Sequence, residues 1–261
     1  YNVAPHVATN DPGDRLTPEA GTIIPDTATG SYDVRKVIRA IADDADMLEV
    51  RESWAANVIT GNDGANALNG AAGNDTLTGT SGADTINGLA GNDIITGGAG
   101  TDTMDGGHGS DLYIMAASGD HATAEITDTG ESGTDEVRFT SATANATLTL
   151  YAGDTGIEQA VIGTGTSGAA VTTAKTALSI NASALTYGLT LIGNAGANTL
   201  TGGNGADKLE GGAGNDTLKG GSAADRLDGG GSRPLPWLQG MLVDYDQALY
   251  DSLSAPITLD L

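Results

Sequence analysis

The sequence predicts an all-β chain: a right-handed parallel β-solenoid with a short capping α-helix at each end. Three observations carry this. Residues 61–114 read as six consecutive nine-residue units without slippage, and 193–228 as four more. Repeats of this kind build stacked coils. Aromatic content is 4%, with a single Phe, thin for a compact core but enough for a narrow stack of aliphatic side chains. Two amphipathic stretches flank the repeats, where the open ends of a stack need covering.

Each position of the unit has a physical job. The first is Gly in all ten copies and the fourth is Gly in nine, Ala223 being the exception. A tight six-residue turn needs positive φ, which Gly supplies at least cost. The eighth is always large and apolar: Leu68, Leu77, Ile86, Ile95, Met104, Tyr113, Leu200, Leu209, Leu218 and Leu227. The last three residues form a minimal strand, and its middle side chain points into the coil. The sixth position is Asp in eight copies and Asn in two, Asn66 and Asn198. If two units close one coil, turns two units apart stack on the same edge. Carboxylates then recur at about 4.8 Å. Such a column repels itself. A hard divalent cation between turns removes the repulsion and takes oxygen ligands, which fits Ca²⁺.

The units resemble the GGxGxDxUx nonapeptide of the RTX family, the calcium-binding parallel β-roll of proteins exported by type I secretion. The likeness covers 90 of 261 residues. It implies that position six gives the carboxylate while carbonyls of positions two and four complete the shell. One edge of the first array then carries Asn66, Asp84 and Asp102, the other Asp75, Asp93 and Asp111. The second array pairs Asn198 with Asp216 and Asp207 with Asp225. The implied carbonyl donors are Gly82, Gly91, Gly98, Gly100, Gly107, Gly109, Gly203, Gly205, Gly212 and Gly214. Ions between successive same-edge members number about six, and the one beside Asn66 is expected to be weakest, since an amide brings no charge.

Composition agrees. The net charge is −23 and the pI about 4.1, which excludes nucleic acid and anionic membrane as charge partners. Six calcium ions would leave about −11. Cysteine is absent, so metal takes the stapling role of disulfides. No apolar run is long enough for a transmembrane helix, and no N-terminal signal is visible. Type I substrates carry an uncleaved C-terminal signal, so the resemblance implies a secreted, extracellular or cell-surface location and the type I machinery as a partner.

In chain order, 1–56 reads as a linker arm followed by a capping helix. Residues 1–30 are rich in Pro, Thr, Asp and Gly, with a turn at Asn10–Asp14. Over 33–50, Val34, Val37, Ile38, Ile41, Ala45 and Leu48 share a helical face. Capping is its default role, and binding a partner the sharper one. The first array occupies 57–114, with Asn57 and Ile59 already in phase. Residues 115–192 lose the frame but keep strand candidates at 123–127, 135–140, 146–151, 157–162, 177–181 and 189–192. Irregular continuation of the solenoid is favoured over a small antiparallel insert. The second array occupies 193–231. At 232–261, Pro234 falls on position six and is expected to stop the roll. A second amphipathic helix over 237–253 and a terminal strand follow. The end, 254–261, resembles either the opening of a further calcium loop of large RTX proteins or a type I secretion terminus.

No catalytic constellation emerges. His6, His108 and His121 fit no HExxH, GxSxG is missing, and there is no Cys. His108 sits at a variable turn position and is expected in solvent. Acidic pairs such as Asp43/Asp44 and Asp135/Glu136 are placed on exposed faces. Two functions are therefore weighed. The first is a calcium-dependent structural or adhesive module of a secreted protein, for a surface layer or an extracellular polymer. The second is the non-catalytic roll of a larger secreted enzyme or toxin such as a protease, lipase or hemolysin.

Overall fold

The computed structural model describes residues 56–130 and 132–230, together with the backbone of 38–39, 47–49, 247–249 and 258–259. The approach and first array give β1 (Ile38–Arg39), β2 (Met47–Glu49), β3 (Val58–Thr60), β4 (Ala67–Asn69), β5 (Thr76–Ser81), β6 (Thr85–Ala90), β7 (Ile94–Ala99), β8 (Thr103–His108) and β9 (Leu112–Met115). The middle gives β10 (Glu136–Phe139), β11 (Thr147–Thr149), β12 (Gln159–Ile162), β13 (Ser179–Asn181) and β14 (Thr190–Ile192). The second array and the end give β15 (Thr199–Thr201), β16 (Lys208–Glu210), β17 (Thr217–Lys219), β18 (Arg226–Asp228), β19 (Gln247–Leu249) and β20 (Thr258–Leu259).

Within the arrays alternate strands pair, because two nine-residue units close one coil. Leu77 lies beside Ile59 and Ile95, and Ile86 beside Leu68 and Met104, each eighteen residues apart. Among the described residues all strand pairings are parallel. The odd strands up to β9, then β10 and the even strands from β12 to β20, form one eleven-stranded sheet. Facing it are a four-stranded sheet of β2, β4, β6 and β8 and a five-stranded sheet of β11, β13, β15, β17 and β19. The protein is a parallel β-roll.

The core is the ladder that the eighth position specifies. All ten of its side chains are buried, and Ile59, Val137, Leu148, Ile180 and Leu191 carry the ladder on beyond the ten full units. At roughly 1.5–3 kcal/mol per buried aliphatic side chain, this one-residue-wide stack is the main apolar contribution to the fold. The strands β10, β12 and β14 come from 115–192 and lie in the same large sheet as the array strands. The one antiparallel pair among the described residues is the isolated bridge Thr164–Val171.

Position two adopts a left-handed backbone in seven of the ten turns, Asn62, Asn194 and Gly203 being the exceptions. Gly98 and Gly107 adopt it at φ 98° and 88°, but Thr80 and Leu89 are forced into it at 89° and 81°. Non-glycine residues strain there by roughly 1–2 kcal/mol. Thr80 recovers part of this by donating its hydroxyl to the carbonyl of Asn62 at 2.5 Å.

Two expectations are corrected at the ends. The capping helices expected over 33–50 and 237–253 lie largely outside the described residues. Where the chain is described, at 38–39, 47–49 and 247–249, it is strand. Pro234 ends the nine-residue frame but not the sheets, since β19 pairs with β17 and β20 with β18. The outermost strand of a parallel stack presents a full row of unpaired backbone groups, and a further strand satisfies them.

Candidate metal centre

The site follows from the register. With coils closing every eighteen residues, position-six side chains stack directly along each edge. Their two carboxylate oxygens do different work. Oδ1 accepts the backbone N–H of the position-six residue one coil earlier: Asn66 to Asp84 at 2.7 Å, Asp75 to Asp93 at 2.7 Å, Asp84 to Asp102 at 2.9 Å and Asp93 to Asp111 at 2.7 Å. The second array repeats this with Asn198 to Asp216 at 2.8 Å and Asp207 to Asp225 at 3.0 Å. Each Asp thus helps to lock the coil beneath it.

Oδ2 is left over. On Asp75, Asp84, Asp93, Asp102 and Asp111 it is buried without a hydrogen-bond partner. An orphaned buried carboxylate oxygen costs several kcal/mol unless something compensates it. These oxygens converge on the first-position glycines. A side chain on Gly88 would strike Oδ2 of Asp93 and lie 2.6 Å from the carbonyl oxygen of Gly106 in the next coil. One on Gly70 would strike Oδ2 of Asp75 and lie 2.9 Å from the carbonyl of Gly88. Glycine is therefore required by a cradle of oxygens that a Cβ would fill. The donor set is hard, anionic and flexible, which suits Ca²⁺.

The field is uniformly negative. Burial, reinforced by Asp75, pushes Asp93 up to about 6, although the N–H of Asp75 pulls it back. Burial pushes Asp84 and Asp207 up to about 6. Asp111 rises to about 7, through burial and then the charges of Asp93, Asp128 and Asp135. Asp75, Asp102 and Asp225 are also raised by burial. Groups raised in this way take up protons at mildly acidic pH, where an incoming cation must displace them.

The structure brings each sequence-predicted carboxylate into its column. It places Asn66 and Asn198 at the column starts in the arrays, where an amide already bonds locally: Asn66 Oδ1 accepts from Asn62, and Asn198 Oδ1 from Asn194, each at 2.8 Å. Among the glycine carbonyls, those of Gly82 and Gly91 face Gly100 and Gly109 of the next coil, and that of Gly196 faces Gly214. At position two, Gly98 and Gly107 face the carbonyls of Thr80 and Leu89. Gly203, Gly205 and Gly212 face carbonyls of Leu185, Tyr187 and Asn194. The first-position carbonyls of Gly88 and Gly106, which border the same glycine Cβ positions as the orphaned oxygens, were absent from the expected ligand set. His108 is exposed, as expected.

Sequence reasoning missed that the columns run past the first array. Asp111 donates its N–H to Oδ1 of Asp135 at 2.7 Å, and Asp135 donates to Oε2 of Glu158 at 2.8 Å. Asp135 is buried, not on an exposed face. The signal was present: Gly130, Gly133, Asp135 and Val137 keep the spacing of positions one, four, six and eight, as do Gly153, Gly156, Glu158 and Ala160. On the other edge the column meets Glu125, raised by burial and lowered by His121 and by the backbone N–H of Asp102. His121 is buried between Glu125 Oε2 at 3.2 Å and Asp154 Oδ2 at 2.8 Å. An imidazole there faces the carboxylates that turn glycines face elsewhere.

Comparison with known proteins gives two separate likenesses. The RTX calcium-binding nonapeptide repeat model matches in four copies, at 55–77, 78–113, 190–218 and 201–233. The carboxyl transferase domain model matches 2–64, a segment read from sequence as linker, cap and the start of the first array. Over 58 residues the chain is 40% identical to the propionyl-CoA carboxylase beta chain of Sus scrofa and 36% identical to that of Homo sapiens. It is 39% identical over 51 residues to that of Roseobacter denitrificans. These stretches are 20–22% of this chain and 10–11% of those relatives, so the chain spans about a tenth of their length. No solved structure matches. Among the described residues no helix is long and apolar enough to cross a membrane. With glycine cradles, buried carboxylate columns and an eighteen-residue register in agreement with the repeat model, the two arrays of this chain are RTX calcium-binding nonapeptide repeats.

Proposed function

We propose that this chain is a calcium-dependent structural or adhesive module of a secreted protein, and that it folds where calcium is plentiful. The observation that carries the reading is the row of buried, unpartnered Oδ2 atoms on Asp75, Asp84, Asp93, Asp102 and Asp111. Ions between successive same-edge members, Asn66 to Asp84 to Asp102 and Asp75 to Asp93 to Asp111, supply the missing charge. The pairs Asn198/Asp216 and Asp207/Asp225 do the same in the second array. Binding and folding are then one process. At cytosolic calcium the arrays stay open and threadable through type I export machinery. At about 10⁻⁴–10⁻³ M, the range of extracellular modules, they close.

Far-UV circular dichroism in chelator, then with Ca²⁺ and separately with Mg²⁺, tests this. Ca²⁺ is expected to induce the β spectrum. Mg²⁺, which demands tight octahedral shells and keeps its waters, is expected not to. A full β spectrum in chelator at neutral pH, or equal rescue by Mg²⁺, rejects the reading.

A second reading, an accessory roll joined to an enzyme, draws support from the match of 2–64 to the carboxyl transferase domain. The roll itself is non-catalytic. The likeness spans about 11% of the Sus scrofa relative, and we assign no carboxyl-transfer step to it.

A further inference from the structure

Array one ends at Tyr113–Ile114, and the one group of three carboxylates that could share an ion among the described residues straddles that end. Asp111, Asp128 and Asp135 are 1%, 7% and 4% exposed, and one carboxylate oxygen from each lies within 4.8 Å of the others. Asp128 and Asp135 fall outside every stretch that the repeat model matches.

We propose that Asp111, Asp128 and Asp135 form an additional Ca²⁺ site at the junction between the first array and the middle coils, distinct in kind from the array sites. It deepens the calcium-binding reading and rests on it. The array sites draw their carboxylates from position six. Here Asp128, on the turn that leads into β10, brings a third carboxylate to the same opening.

The residues around the site prepare it. Oδ2 of Asp111 is buried without a partner and is aimed at Cα of Gly106. Tyr113 accepts the N–H of Gly106 at 2.6 Å and donates its hydroxyl to Oδ2 of Asp128 at 2.6 Å. That hydroxyl therefore holds Asp128 beside the glycine that Asp111 faces. Asp128 Oδ1 is fixed by the N–H of Gly130 at 2.9 Å, and Asp135 Oδ1 by the N–H of Asp111 at 2.7 Å. The buried cation nearby in sequence does not serve the cluster. Arg138 donates to Glu136 at 2.6 Å and to the carbonyls of Gly165 at 2.9 Å and Gly168 at 2.7 Å. Three carboxylates, one of them with an orphaned oxygen, are a hard oxygen donor set, which selects calcium over softer metals. The position also explains why Tyr113 alone among the eighth-position residues carries a polar atom. A Leu there packs the core but cannot orient Asp128.

The experiment uses the full chain and Ca²⁺ alone, in equilibrium dialysis. Asp128→Asn keeps the shape and one of the two acceptor oxygens but removes one charge. It is expected to bind one ion fewer than wild type, or that ion at least tenfold more weakly, with the calcium-induced dichroism intact. Unchanged stoichiometry and affinity overturn the proposal. Should Asp128→Asn fail to fold, terbium luminescence excited through tyrosine decides. Tb³⁺ in this site sits beside Tyr113, so Tyr113→Phe must lose a sensitised component, and undiminished emission overturns the proposal. Failure of the broader reading looks different: wild type itself would bind no calcium.

Discussion

The backbone N–H of Asp75 donates to Oδ1 of Asp93 at 2.7 Å, eighteen residues and one full coil away. That bond ties metal chemistry to folding. The oxygen that accepts it registers the coils, and the other oxygen of the same carboxylate is left buried and bare. Neutralising it makes the coil below more favourable too. Calcium binding is expected to spread along each edge, because every ion stiffens the carboxylate that flanks the next.

Asp93 stands between Asp75 and Asp111 on its edge, so it serves two ions, whereas Asn66 begins its array column with an uncharged oxygen. Asp93→Ala is expected to remove two binding events, and Asn66→Ala to weaken at most one. Calorimetric calcium titration of both variants distinguishes them. Equal losses would mean that same-edge stacking does not define the sites.

Gly88 has an unstrained backbone, yet a Cβ there would occupy the space between Asp93 Oδ2 and the Gly106 carbonyl. Gly88→Ala is therefore expected to raise the calcium midpoint about tenfold or more, through lost ligand space and not through backbone strain. Gly119 has nothing within 4 Å of its ideal Cβ, so Gly119→Ala is the control and should leave the midpoint unchanged. If both alanines behave alike, the cradle is not where the ion sits.

Most of the architecture was legible because one period governs three things at once: turn glycine, edge carboxylate and inward aliphatic. Leu77, Asp75 and Gly73 could each be placed from the nine-residue frame alone. The middle was harder because its coils keep the inward residue but vary the turn. Between Gly107 and Gly130, which meet in adjacent coils, and again between Gly109 and Gly133, the separations are 23 and 24 residues instead of 18. A fixed frame cannot follow such insertions, so Asp135 looked like half of an exposed acidic pair. Asp128 was beyond reach, since only the folded turn brings it to Asp111. The chain ends were misread for another reason. Helical periodicity at 33–50 and 237–253 is a local signal, while the strands β2 and β19 complete sheets whose other members are distant in sequence.

The raised carboxylates also make acid a partial substitute for calcium. In the metal-free roll Asp84, Asp93 and Asp207 are pushed up to about 6, and Asp111 and Asp135 to about 7, from an ordinary value of 3.8. Burial is the first cause in every case, and neighbouring carboxylates add to it. Between about pH 4 and about pH 7 the folded roll holds protons that the unfolded chain has released. Stability of the metal-free form must then fall as pH rises through that window, the reverse of an acid held in a salt bridge. In chelator, β dichroism is expected to be stronger near pH 5 than near pH 8. Calcium added near pH 6 should displace those protons, giving a heat of binding that depends on the ionisation enthalpy of the buffer. At pH 8 the carboxylates are already bare, and the buffer dependence should vanish. A chelated chain as unstructured at pH 5 as at pH 8, with calcium heats indifferent to buffer, would show that these carboxylates are not buried together before the metal arrives.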